Sequence, residues 1–241
     1  MGMGAFKRLE QSPAGKAVLA VAIFSLIVGG WFGYQHYQTA QAELPGAPTR
    51  AEQCALWFVG SSSIHRWTSL DKDMAPWKAY RRGVDDAGYS EILPRFANAA
   101  DDPRPAAIIL YVGENDIARG MPVRVVVRDL AKFLELRTRM MEDVPVLVLS
   151  MKPSPGRWKH FRAQQLFNGA AKRLIPHMPR AYYADITSPL LIDGRTGENY
   201  RRDGVHMNAA GYRIWADVVR RRLREILPPA VVKRCEAEGM R

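Results

Sequence analysis

An α/β domain on a mainly parallel sheet, preceded by one apolar helix, is the architecture that these 241 residues predict. Three features point to it. Apolar runs of strand length recur at 54–59, 106–112, 144–150 and 181–186. Helix-length amphipathic stretches separate the later runs, which is the alternation of βαβ units on a parallel sheet. Ahead of them all, residues 17–34 contain no charged side chain.

That first run, "AVLAVAIFSLIVGGWFGY", meets the roughly 17–25 residues needed to span a bilayer. Lys7, Arg8 and Lys16 precede it, so the positive-inside rule keeps residues 1–16 in the cytoplasm and sends the chain beyond Tyr34 across the membrane. The expected location is the extracytoplasmic side, as in a bacterial periplasm. The triplet Ala40-Gln41-Ala42 is of the small-x-small kind that signal peptidase cuts, and cleavage after Ala42 would give a secreted protein. Residues 17–34 exceed the about 7–15 residues of a signal h-region, which favours an uncleaved anchor. Residues 35–53, with Pro45, Gly46 and Pro48, read as a linker.

The domain is expected over 54–228. Its first strand, "CALWFV", ends at Gly60 and a serine run. "AAIILYV" and "VPVLVLS" are continuous apolar runs, as expected of strands covered on both faces, and "AYYADI" is a weaker fourth. Between the second and third, Pro122 suits the first position of a helix running through "VRVVVRDLAKFLELRTRMM". Another helix spans 159–175 and is stopped by Pro176. The last carries an apolar stripe of Ile214, Val218, Leu223 and Ile226 or Leu227 with arginines on its other side, and 229–241 reads as a tail.

The net charge of +11 raises the question of nucleic acid, yet no finger, ribbon or helix-turn-helix pattern accompanies it. A basic face on a tethered domain can equally lie near anionic lipid or be solvated. Cys54 and Cys235 have no metal-motif spacing, which leaves two free thiols or one long-range disulfide.

Three polar clusters fall in loops after predicted strands or before the last helix. They are "GSSSIHRW" (60–67), "GENDIARG" (113–120) and "RRDGVHMNAAGY" (201–212). Right-handed crossovers place loops leaving the strand C-termini along one crevice. Taken alone, Asp203 and His206 fit a surface turn, two metal ligands or two members of a catalytic triad; a third ligand at a recognisable spacing is missing.

In this order the clusters resemble the sequence blocks of the SGNH hydrolases, also called the GDSL esterase/lipase family, over about residues 54–228. Gly60-Ser61-Ser62-Ser63-Ile64 is similar to the first block, with Ser61 where Asp is usual. Gly113-Glu114-Asn115-Asp116 matches the third, and Asp203 with His206, followed by "MNAAGY", matches the fifth. "SMKPSPGRW" (150–158) resembles one esterase-like branch. The second block, usually Asn-Arg-Gly-x-Gly-Gly, departs: ungapped matching of "RRGVDDAGYSEI" puts Asp85 and Asp86 on the two later glycines.

The resemblance implies a three-layer α/β/α sandwich of flavodoxin-like topology and a serine esterase without metal or cofactor. It makes Ser62 the nucleophile, His206 the base and Asp203 the residue that orients it. The oxyanion donors would be the Ser62 and Asp86 backbone N–H groups and the Asn115 amide, with Gly88 as alternative should the register shift. The Asp86 side chain is expected to turn outward, towards Arg81 or Arg82, since a carboxylate facing the oxyanion would oppose it. His65 could line the pocket or face solvent, Asp116 and Arg157 should support loops, and Trp67, Trp77 and Trp158 should pack in the core or against loops. Substrates would be small acyl esters of saccharides or lipids; the rival reading is a non-catalytic envelope-binding or scaffolding domain whose second block has decayed.

Overall fold

The computed structural model describes residues 13–238 and falls into two compact units, divided after Ala42. The first holds helix α1, Pro13–Gln41. Its stretch Pro13–Tyr34 has a mean hydropathy of 2.0, and apolar side chains such as Val18, Phe24 and Leu26 are exposed, so it is long and apolar enough to cross a membrane. The helix continues through the first part of the expected linker. Most of the expected cytoplasmic segment, residues 1–12, lies outside the described residues.

The second unit, from Glu43 onward, is built on five parallel strands in the order β2-β1-β3-β4-β5. These are β1 (Ala55–Gly60), β2 (Lys78–Gly83), β3 (Ala107–Tyr111), β4 (Val146–Leu149) and β5 (Ala181–Ala184). Four coincide with the runs expected from the sequence. The fifth, β2, was not expected: "KAYRRG" lies on the sheet edge, where Lys78 and Arg81 stay exposed, and so carries no apolar run. A two-stranded hairpin, β6 (Leu191–Ile192) and β7 (Arg195–Thr196), stands apart from the main sheet.

Successive side chains on a strand point to opposite faces, and the core divides accordingly. Leu56, Phe58, Ile109, Tyr111, Leu147 and Leu149 belong to one buried cluster; Trp57, Val59, Ile108, Leu110, Val146 and Val148 belong to the other. The first is covered by α2 (Ser62–His65), α3 (Leu70–Met74) and α8 (Ala209–Ile226), which contribute Ile64, Leu70 and Trp215. The second is covered by α4 (Tyr89–Ala97), α5 (Glu114–Ala118), α6 (Val123–Met140) and α7 (Phe161–Leu174), through Phe96, Ile117, Phe133 and Phe167. This is the expected three-layer α/β/α sandwich. Val218, Leu223 and Leu227 of the expected α8 stripe are buried, while Ile214 and Ile226 are partly so.

Local boundaries differ where proline chemistry is finer than the pattern. Pro122 caps α6 from just outside with an extended ψ of 137°, and a 3-10 turn, Pro155–His160, precedes α7. Beyond α7 the chain keeps turning through Ile175–His177 because Pro176 needs no N–H in so short a helix. The segment read as a tail is helical as α9, Pro229–Glu238; Val232 and Cys235 are buried in the first cluster, and residues 239–241 lie outside the described residues. Of the two states left open for the cysteines, the structure has the disulfide: Cys54 at the entry to β1 is bonded to Cys235.

Candidate active site

The strand order reverses between β1 and β3, and the loops leaving these neighbours diverge into the crevice where α/β sheets bind ligands. The first loop begins at Gly60. A Cβ there would stand 2.3 Å from the Tyr111 carbonyl oxygen, so only glycine allows the close approach in which the Ser61 N–H donates to that oxygen at 3.1 Å. Ser62 then opens α2 directly at the end of β1 and is buried. Tyr212 of α8 donates its hydroxyl to the Ser63 carbonyl at 2.8 Å and stacks on Trp67, with ring centroids 4.9 Å apart. The turn carrying Ser62 is thereby held against buried aromatic rings.

Across from it lies the segment before α8. His206 Nε2 is 2.9 Å from Ser62 Oγ, and His206 Nδ1 is 2.8 Å from Asp203 Oδ2. The other Asp203 oxygen accepts the Val205 and His206 backbone N–H groups at 2.8 and 2.9 Å, so the carboxylate fixes both the imidazole and the loop bearing it. Burial pushes the Asp203 carboxyl upward, but the bonds from His206 and Val205 outweigh this and hold it down at about 2. An anionic Asp203 calls for the proton on Nδ1, leaving Nε2 to accept the Ser62 hydroxyl proton. The Asn208 side chain caps α8 by accepting from Ala210 and Gly211, which fixes the start of the helix just after this segment.

The second block supplies the opposite wall. Asp86 sits at φ 53°, a left-handed conformation that favours glycine and that aspartate tolerates better than most residues. The family pattern has glycine at this position. Its carboxylate turns outward, as expected, but its partner is Arg119 at 2.9 Å rather than Arg81 or Arg82. Arg82 is buried instead, over the Trp57 ring and against Asp102 at 2.5 Å. Among the described residues the Asp86 N–H has no acceptor, whereas the Gly88 N–H is already donated to Glu91 at 2.7 Å. Asn115 is buried and donates from its amide to the Ala87 carbonyl at 2.9 Å; the amide has a second hydrogen to offer. Asp116 accepts from the Tyr89 N–H at 3.3 Å, a supporting contact for the loop.

His65 lines an outer cleft, with Nδ1 3.3 Å from the Gly83 carbonyl. Trp67 and Trp77 are buried, while Trp158 stacks on Phe161 but remains 42% exposed. One group was missed from the sequence. Glu114 is buried against Lys152 Nζ and the Tyr111 hydroxyl, both at 2.5 Å, with Arg157 at 3.5 Å. Burial acts to raise the Glu114 carboxyl, and the Lys152 and Arg157 charges bring it below its ordinary value. The cluster clamps the loop after β4 to the loop holding Asn115, and that same loop meets the histidine segment where the Gly156 N–H donates to the Gly204 carbonyl at 2.8 Å. A lysine inside "SMKPSPGRW" beside a glutamate in the third block was the available signal.

Comparison with known proteins picks out the same blocks. The model of the GDSL-like lipase/acylhydrolase family matches residues 53–214. Among solved structures, a GDSL-like lipase from Bacteroides thetaiotaomicron shares 18% identity over 81% of this chain and 98% of its own, with a TM-score of 0.60. A member of the lipolytic G-D-S-L family from Veillonella parvula shares 19% over 68% and 95%, with a TM-score of 0.58. A carbohydrate esterase of family 3 from Talaromyces cellulolyticus shares 16% over 71% and 97%, with a TM-score of 0.56. No curated protein matches the chain.

Proposed function

We propose, because the chain belongs to the GDSL-like lipase/acylhydrolase family, that Ser62, His206 and Asp203 hydrolyse carboxylic esters through an acyl-serine intermediate. The observation that carries the assignment is the continuous hydrogen-bonded line from Ser62 Oγ through the His206 ring to Asp203, at 2.9 and 2.8 Å. His206 Nε2 takes the hydroxyl proton as Oγ attacks the carbonyl carbon and then delivers it to the departing alkoxide. Water repeats the sequence on the acyl-serine, with His206 again the base, and releases the acid. Asp203 stays ionised, keeps the Nδ1 proton in place and stabilises the imidazolium.

The carbonyl oxygen becomes negative in each tetrahedral intermediate. The donors for it are the Ser62 N–H, the Asp86 N–H and the second hydrogen of the Asn115 amide, each worth about 3–4 kcal/mol by comparison with other serine hydrolases. The outward, Arg119-paired carboxylate of Asp86 supports this role, because the side chain then adds no negative charge beside the oxyanion. Gly88 is the weaker candidate, its N–H being committed to Glu91. The same geometry weighs against a decayed, non-catalytic second block.

The acyl group is short, acetyl above all, on a saccharide or lipid alcohol; the sequence has no long insertion to serve as a lid over a long chain. Wild type and Ser62→Ala are to be compared on p-nitrophenyl acetate and a panel of acetylated sugars. A fall of at least about 10³-fold is expected on removing the nucleophile; equal rates for both proteins would falsify the esterase reading.

The domain is proposed to work on the extracytoplasmic side, tethered by residues 17–34. The disulfide between Cys54 and Cys235 supports an oxidising compartment. Exported protein should resist extraction from membranes by high salt, because a spanning helix holds by apolar burial rather than surface charge. A soluble species beginning at Glu43 would show cleavage instead.

A further inference from the structure

Beside Ser62 and His206 lies a cleft of about 450 Å³ lined by His65, Arg66, Thr68, Arg81, Asp85 and Arg201. Its walls grow from the residues that hold the triad. The Arg66 N–H donates to the Ser62 carbonyl at 2.8 Å, and the Arg201 N–H to the His206 carbonyl at 2.7 Å. The Arg201 guanidinium donates to the carbonyls of Met207, at 3.1 Å, and Arg66, at 3.3 Å, so it joins the two walls.

The charges in the cleft do not cancel. Asp85 engages Arg66 through two parallel bonds of 3.1 and 2.9 Å, and the pair is neutral. Among the described residues, neither Arg81 nor Arg201 has a carboxylate within 4.0 Å. Two guanidinium charges therefore stay uncompensated at the rim of the site. Asp85 occupies one of the positions where the family pattern has glycine, and it uses that departure to fix Arg66 along the wall.

We infer that this cleft is a subsite for an anionic group, carboxylate or phosphate, on the alcohol part of the ester. The inference rests on the esterase reading of Ser62 and names its substrate class. A short acyl group such as acetyl carries no charge, so an anion recognised next to the triad belongs to the leaving alcohol. Guanidinium groups match both anions through paired N–H donors. On this view Asp85 is part of a specificity device rather than a sign of decay.

The test compares the acetyl ester of 4-hydroxybenzoate, the acetyl ester of 4-hydroxyphenyl phosphate and the neutral acetyl ester of 4-hydroxybenzamide, all with one acyl group. The readout is the ratio of kcat/KM for each anion to that for the neutral ester, in wild type, Arg81→Gln, Arg81→Glu and Arg221→Gln. Arg81 is exposed on the edge strand, and Arg221 is an exposed helix residue outside the cleft lining, so the last variant is the control for net charge. Removing Arg81 should lower the ratio for at least one anion about fivefold, and reversing its charge should lower it further, whereas Arg221→Gln should leave it unchanged. Ratios within about twofold of wild type in both Arg81 variants, or an equal fall in Arg221→Gln, overturn the subsite while leaving the esterase reading intact. Failure of wild type to turn over even the neutral ester faster than Ser62→Ala overturns the esterase reading and the subsite with it.

Discussion

Replacing Asp203 by asparagine tests the hydrogen-bond logic of the site with almost no change of shape. In the wild type one carboxylate oxygen accepts two backbone N–H groups and the other accepts from His206 Nδ1. Asparagine keeps the first pair through its carbonyl, so the loop should hold. Its NH₂ then faces Nδ1 and can only donate, which forces the imidazole proton onto Nε2, the atom that must accept from Ser62. In the serine-protease triad the same substitution lowers kcat by about 10⁴. Here the Asp203 side chain is 42% exposed, so water can compete for the ring and soften the loss. A fall of about 10²–10³-fold in kcat is expected, with KM for p-nitrophenyl acetate little changed. The pH dependence of folding adds a second readout. The carboxyl is depressed to about 2 in the folded protein, so its stabilising contribution is complete above its ordinary pKa and fades as pH falls towards 2. Asparagine cannot titrate, so the variant should lose this part of the acid dependence. A kcat within tenfold of wild type, with folding intact, would refute the orienting role of Asp203.

The cross-link and the left-handed turn can be tested in the same way. The disulfide joins residues 181 positions apart, and for a loop of that size chain entropy gives about 5 kcal/mol. Urea unfolding of a Cys54→Ala/Cys235→Ala variant should show about 3–5 kcal/mol less stability, with esterase activity at 25 °C preserved because Cys54 and Ser62 flank opposite ends of β1; a loss under about 1 kcal/mol would refute the cross-link's role. Asp86→Gly should keep kcat/KM within about threefold, since the backbone N–H remains, while relief of the left-handed backbone offsets the exposed Arg119 pair to within about 1 kcal/mol of stability. A tenfold fall in kcat/KM would show that the carboxylate itself takes part.

The central strands and the three polar blocks were legible because burial on both faces demands uninterrupted apolar runs and because the chemistry demands particular side chains at short spacing. Edge strand β2 was not. It is solvated along one side, so "KAYRRG" carries charges that a pattern reading assigns to a loop. Helix α9 was also missed, since "PAVVKRCEAE" has little amphipathic signal and its place depends on Val232, Cys235 and the bond to Cys54. These are tertiary decisions: β2 is set by its pairing with β1, with Lys78 opposite Ala55, and α9 by the bond to Cys54, 181 positions away.

The second block joins both cases. Its backbone requirement can be read from the family pattern: glycine marks a left-handed turn, and Asp86 occupies that turn at φ 53°. The destination of its carboxylates cannot be read that way, because Arg66 and Arg119 lie 19 and 33 residues away in sequence, each on a different loop. What makes the two aspartates tolerable is the pairing and not the local sequence. Each carboxylate is neutralised by its arginine, so substituting either arginine alone should free a negative charge next to the site. An Arg119→Ala variant should therefore slow acylation more than Asp86→Gly, although it removes a residue that does not touch Ser62 or His206. The opposite order, with Arg119→Ala harmless and Asp86→Gly damaging, would mean that the carboxylate serves the reaction directly.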